Sequence, residues 1–191
     1  MNYKGGTDDR DKNAAGQDEP NDQRPYLCIP YWTEPLADAT PPDDGQVRPL
    51  PNEGASGVQA SLCPGINGGY FFSRLAPCQV SVLVRNTGGG NGDALAIVRL
   101  WWIAHPRGRD QLPVSDLARA TFLGFEQIAV PPRGGTSATQ FFSLQVPDAD
   151  NVNRISLIAC VSHFLDKAPP LVDSIGSDRH WAQRHLVLAI Q

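Results

Sequence analysis

The sequence predicts an all-β protein, an immunoglobulin-like antiparallel β-sandwich of about seven strands with a long irregular N-terminal arm. Three observations carry that prediction. Glycine (18) and proline (17) are abundant among the 191 residues, which favours many turns over long helices. Short runs of alternating or β-branched residues recur, each closed by turn chemistry. No strand–helix alternation of the kind a parallel α/β sheet requires is visible.

The length suits one domain with an extension and is sufficient to bury a core. A formal net charge of −4 provides no basic field for collecting phosphates, so nucleic acid and anionic membrane are not expected as partners. Met1 to Pro20 is polar where a secretory signal needs an apolar run, and no later stretch approaches the roughly 20 apolar residues of a membrane span. A cytoplasmic location is therefore expected, with export left to a specialised route. Cys28, Cys63, Cys78 and Cys160 are far apart and form no C-x-x-C pair, which argues against a closed zinc site. They read as buried thiols, with a Cys63–Cys78 disulfide as the alternative. No cofactor and no metal is expected.

Residues 1–24 carry many charges and little to bury, the mark of a tail that stays disordered or orders on a partner. Residues 25–76 read as a Pro/Gly-rich arm with short edge strands. Within it, Tyr26-Leu-Cys-Ile-Pro-Tyr-Trp32 is an apolar anchor laid on the domain, and Pro30 bars it from a sheet centre. Glu34 to Gly57 holds five prolines and reads as loop. Val58 to Leu62 is a short strand candidate, followed by turns at Pro64-Gly65 and Asn67-Gly-Gly69 and an apolar contact at Tyr70-Phe-Phe72.

Residues 77–191 read as the sandwich. Gln79 to Arg85 alternates, with Val80, Val82 and Val84 on one face. The Gly88 to Gly92 stretch then turns the chain, and Ala94 to Ile103 follows, which together read as a hairpin. Trp101 and Trp102 are strand neighbours and must face opposite ways. Pro106 to Asp110 reads as a loop, and Ser115 to Thr121 suits a short helix. Phe122 to Val130 and Thr136 to Val146 read as strands. Ile155 to Phe164 is apolar on both faces, as a central strand should be, and Trp181 to Ile190 closes the chain.

Several of these segments resemble CARDB-type modules, cell-adhesion-related bacterial β-sandwiches similar to fibronectin type III domains. The carriers are Val80-Ser-Val-Leu-Val-Arg-Asn-Thr-Gly88, Ala96-Ile-Val-Arg-Leu-Trp-Trp102, Val130-Pro-Pro-Arg-Gly134, Leu157-Ile-Ala-Cys-Val-Ser-His163 and Asp178-Arg-His-Trp-Ala-Gln-Arg184. Their order and spacing agree from about Pro77 to the end. The resemblance implies a sandwich that binds or spaces and performs no chemistry; the fold itself names no ligand.

Catalytic motifs are missing from the sequence: there is no G-x-S-x-G, and the glycines at 88–92 sit between strands instead of ahead of a helix. The constellation to weigh is His105, His163, His180 and His185 with Asp166, Asp173 and Asp178. His180 and His185 are five apart and would face opposite sides of a strand, which disfavours a shared metal. Asn86, Asp178, Arg179 and Gln183 read instead as loop anchors. The function expected is a non-catalytic protein-interaction or structural subunit of a larger bacterial or phage-like assembly, docking through its arm and sheet edges. Tyr26, Tyr31, Trp32, Tyr70, Trp102 and Trp181 are the binding residues this implies. One alternative is a carbohydrate-binding or adhesive module that stacks sugars on exposed aromatics. The other is a small metal-dependent hydrolase built around His163 and His180.

Overall fold

A computed structural model describes residues 23–31, 61–105, 114–147, 152–170, 175 and 178–189. The charged tail before Gln23, Trp32, the proline-rich loop, the Pro106 to Asp110 loop and Asp173 lie outside these. The strands in chain order are β1 (Leu27–Cys28), β2 (Ile66–Asn67), β3 (Phe71–Phe72), β4 (Cys78–Asn86) and β5 (Ala94–Ala104). After a 3-10 helix (Val114–Arg119) come β6 (Thr121–Val130), β7 (Gly135–Ala138), β8 (Phe142–Leu144), β9 (Arg154–Ser162) and β10 (Trp181–Leu188). They form two five-stranded sheets. Among the described residues no helix is long and apolar enough to cross a membrane.

In the first sheet β4 is the spine. Asn86 is paired with Leu27 of β1 and with Gly135 of β7, so those strands flank β4 on opposite edges; β2 and β8 pair lower on the same spine. The second sheet runs β3-β10-β9-β5-β6, antiparallel except for the parallel β3–β10 pair. The alternation read in the sequence fits this arrangement. Val80, Val82 and Val84 of β4 are fully buried and share one core with Ala96, Val98 and Leu100 of β5. β9 sits between β10 and β5 as the both-faces-apolar pattern requires, its Leu157, Ala159 and Val161 in that core and its Ile158 and Cys160 in a second cluster on the sheet's outer face.

Two expectations are corrected. β4 and β5 do not form a hairpin: they lie in opposite sheets, and the glycine-rich stretch arches across the sandwich. Alternation shows only that each strand buries one face; here the two apolar faces cover each other from opposite sheets and share one core. Asn86 fixes the arch, accepting the N–H groups of Tyr26 and Gly88 at 3.0 Å each and donating to the Val130 carbonyl at 3.4 Å. The second correction is that Thr136 to Val146 is two strands. At the break the buried Thr139 hydroxyl accepts the Val82 N–H at 2.9 Å, standing in for a main-chain partner.

The short edge strands expected between residues 25 and 76 are woven into both sheets. Leu27, Ile29 and Tyr31 lie in the main core. A side chain at Gly88 would place its Cβ 2.2 Å from the Arg24 carbonyl oxygen, so only glycine lets the N-terminal segment lie against the arch. Removing residues 1–31 would strip three buried side chains from the core at roughly 2 kcal/mol each, against a total of about 5–15 kcal/mol for an ordinary domain. The shortened chain is expected to melt far below the full chain in a thermal scan, whereas an unchanged melting temperature would show that the segment is not part of the core.

Candidate functional site

Three places combine chemistry-bearing side chains. At one pole the turn closing β9 and the residues entering β10 meet the N-terminal segment. His163 and Asp166 close the turn through paired main-chain hydrogen bonds of 2.9 and 3.1 Å, and His163 Nδ1 accepts the Leu165 N–H. This brings Asp166 inward, where Oδ2 accepts the Leu27 N–H at 2.6 Å and Oδ1 pairs with Arg179 and, at 3.2 Å, with His180 Nε2. His180 Nδ1 and its own N–H both meet Asp178 Oδ1 at 2.8 Å. The Arg179 guanidinium lies 3.8 Å from the centre of the Tyr26 ring, and its carbonyl accepts the Ile29 N–H. Asp166 and His180 are both buried.

The electrostatics follow from this packing. Burial opposes the charge on Asp166, but His180, Arg179 and the Leu27 N–H outweigh it and hold the carboxyl below its ordinary 3.8. Asp178 is depressed in the same way, its burial overcome chiefly by His180. Burial likewise works against the His180 cation, and the two carboxylates prevail and raise it above 6.5. The cluster is a clamp on residues 24–29, with its acceptor positions turned toward its own chain.

The second place is the outer face of the second sheet, β3-β10-β9-β5-β6. His105 Nδ1 meets Ser156 Oγ at 2.7 Å, the His105 and His185 rings are 4.0 Å apart at their centres, and Gln183 Nε2 lies 2.5 Å from His185 Nε2. Burial first, then the charges of His105 and Arg154, push His185 down to about 3, so its ring is neutral. Nearby, burial and Asp178 push the Cys160 thiol up to about 12 against the pull of Arg99, which leaves it unreactive. Gln183 lies within strand β10, where its side chain contacts His185 and its carbonyl accepts the Cys63 N–H at 3.1 Å. Asn86 is the last residue of β4, Asp178 and Arg179 sit in the stretch that enters β10, and all three make the bonds given above.

The third place is the β3 edge. Tyr70 and Phe71 are 64% and 63% exposed, and Leu75 and Val187 beside them are also exposed. Phe71 is the register partner of Val187. Exposure here does not mean looseness. The Arg184 guanidinium stacks 4.8 Å from the Tyr70 ring centre while donating to the Gly69 and Cys63 carbonyls, and the Tyr70 carbonyl accepts the Val187 N–H. The Tyr70-Phe71-Phe72 run was legible as an apolar contact, with Phe72 turned into the core. Leu75, Val187 and the buried Arg184 were not singled out.

The other aromatics expected to bind are placed differently. Tyr31 and Trp181 are buried, Trp181 donating its ring N–H to the Pro169 carbonyl. Tyr26 lies under Arg179, Trp102 packs half-buried on the main core, and Trp32 is outside the described residues. A sugar platform needs two exposed, near-parallel rings. Trp101 and Trp181 are within 27° of parallel but Trp181 is covered, and Trp101 and Phe122 are inclined by 47°. Among the described residues no group of three or more His, Cys, Asp or Glu side chains converges to hold a metal ion. His163 serves the turn and His180 the clamp.

Two packed sheets with this strand order define an immunoglobulin-like β-sandwich. No family model matches the chain, and no curated protein matches it. Among solved structures it is similar to the CARDB domain of a Pyrococcus furiosus protein in complex with di-metal ions, with 16% identity and a TM-score of 0.42 over 66% of this chain and 90% of that chain. The solution structure of that domain gives 17% identity and a TM-score of 0.41 over 66% of this chain and 92% of that one. A β-glucosidase from Erythrobacter marinus is similar over 63% of this chain but only 14% of its own length, with 17% identity and a TM-score of 0.38. The CARDB resemblance read from the sequence thus reappears in the structural comparison. At these scores the fold itself rests on the two sheets and their shared core.

The clamp has a pH signature. The stabilisation from Asp166 and Asp178, whose values are depressed, is present above 3.8 and fades as pH falls through their folded values. That from His180, whose value is raised, is complete below 6.5 and fades as pH climbs through its folded value. Melting temperature is expected to peak between these limits. Asp166→Asn should lower stability by roughly 3 kcal/mol, because Arg179 loses a buried partner, and flatten the acid limb; His180→Gln should flatten the alkaline limb. Thermal melts across pH check both, and unaltered limbs would remove these groups as the cause.

Proposed function

We propose that this chain is a non-catalytic module that holds a protein partner within a larger assembly through the β3 edge of its second sheet. The observation that carries the reading is the exposed pair Tyr70 and Phe71, with Tyr70 held under Arg184 and Phe71 paired with Val187 in the sheet. An aromatic held rigid before binding loses little conformational freedom on docking, which is why tyrosine recurs at the centres of protein interfaces. Val187 and Leu75 extend the surface with apolar contact. The clusters that resemble chemistry support the same reading from the other side: Asp166, His180, Ser156 and His185 are buried and bonded to one another or to the main chain. Of the Tyr26 to Trp32 segment expected to dock, Leu27, Ile29 and Tyr31 are taken up in the core, which favours the sheet edge over that segment as the docking surface.

The test is a tagged full-length chain recovered from its host under mild conditions, beside the Tyr70→Ala/Phe71→Ser variant. The wild type is expected to retain a partner in stoichiometric amount. Loss of two central aromatics should weaken retention by at least about tenfold while leaving the melting temperature within a few degrees. Equal recovery by both proteins would overturn the β3 edge as the docking surface.

A further inference from the structure

Among the described residues two asparagines precede a glycine, Asn67 and Asn91, and both are exposed. An asparagine in that setting can be attacked at its own side-chain carbonyl by the next main-chain nitrogen, and glycine, without a Cβ, obstructs the approach least. The attack closes a five-membered ring. For that, the incoming nitrogen and the asparagine Cβ must nearly eclipse about the Cα–C bond.

The two sites differ in how far the fold allows this. Asn67 is in β2, paired with Ser81 of β4, and a strand's ψ of about +135° holds the next nitrogen roughly a right angle away from Cβ. Gly68 is also packed in: a Cβ there would lie 3.2 Å from Val80 Cγ2 and 3.3 Å from Leu157 Cδ1. Asn91 lies in the arch between β4 and β5, outside any strand. Gly92 is exposed, and nothing stands within 4 Å of the place its Cβ would take. Opposite the asparagine, Arg133 Nη2 donates to Asn91 Oδ1 at 3.1 Å. Arginine only donates, so the atom it meets must be the carbonyl oxygen. The main chain holds the guanidinium there. Arg133 has φ 58°, and its N–H donates to the Gly88 carbonyl at 2.9 Å, which ties the turn after β6 to the arch.

We infer that Asn91 is a self-modifying site, converted to aspartate and isoaspartate through a cyclic imide, with Arg133 as the donor that stabilises the charge formed on Oδ1. The Gly92 nitrogen bonds to Asn91 Cγ and gives its proton to water. The carbonyl electrons move onto Oδ1 and face the guanidinium, as an oxyanion faces a fixed donor. Those electrons return, the Cγ–Nδ2 bond breaks, and Nδ2 takes up a proton and leaves as ammonia. Water then opens the imide. Attack at Cγ leaves aspartate; attack at the main-chain carbonyl leaves isoaspartate, with the chain now running through Cγ and one atom longer. Either product adds one carboxylate to the arch.

The test incubates the full-length chain at neutral pH in water labelled with heavy oxygen and reads the digested peptides by mass spectrometry. In the folded chain the label is expected to enter at Asn91 at least about tenfold faster than at Asn67, and in urea at comparable rates. Gly92→Ala, whose methyl group has room, should slow Asn91 severalfold. Arg133→Met should slow it by about threefold, as loss of one exposed charge-assisted hydrogen bond from the transition state would, in the folded chain and not in urea. Arg133→Lys should keep most of the rate. These side chains are exposed, so the variants should melt like the wild type. An intact Asn91, equal conversion of the two asparagines in the folded chain, or a Gly92→Ala variant as fast as wild type would overturn the site. A folded Arg133→Met variant that converts as fast as wild type, or faster, would overturn the role of Arg133.

Discussion

Asp166 takes the main-chain N–H of Leu27 into the protein at 2.6 Å across a separation of 139 residues, and much of the sandwich depends on that grip. A lone β1 of two residues has little ladder with which to hold itself on β4. Its hold comes instead from side chains at the pole: the buried carboxylate, the Arg179 guanidinium over Tyr26 and the Asn86 amide on the Tyr26 N–H. With the segment fixed there, Leu27, Ile29 and Tyr31 enter the core between the sheets. The carboxylate is tolerable in that position only because its oxygens are matched by donors and cations, since a buried charge left without them costs several kcal/mol.

The same economy of polar groups separates what the molecule uses internally from what it offers outward. The Ser156, His105, Gln183 and His185 group sits on a sheet face that is covered, and its histidine is held neutral by burial. Cys160 is kept protonated. A general base or nucleophile must reach a substrate and carry a suitable pKa; His185 and Cys160 are buried and shifted away from that range. Outward exposure belongs to apolar residues on the other parts of that sheet: the Tyr70 and Phe71 edge and a groove lined by Leu95 and Phe164. A surface of that composition attracts other surfaces more readily than small polar substrates.

Local pattern made the strands legible and left their partners hidden. Val80, Val82 and Val84 alternate because one face of β4 is buried, and apolar or β-branched runs closed by turn residues marked β5, β6, β9 and β10 to within a residue or two of their observed ends. Alternation says that a face is buried, but not whether the covering face lies beside it or across the core. That is why β4 and β5 read as a hairpin although an arch joins them. The Thr139 break was illegible for a related reason: a threonine hydroxyl serving the Val82 N–H across 57 residues looks, in sequence, like any threonine in a strand. At the site, Asp178, Arg179 and His180 stood out as a cluster before a strand, yet their common purpose depends on Leu27 and Tyr26, which only the fold brings near. The tryptophans misled by their size. Large rings suggest platforms, but Trp181 contributes more by filling the outer cluster, where its N–H also finds the Pro169 carbonyl.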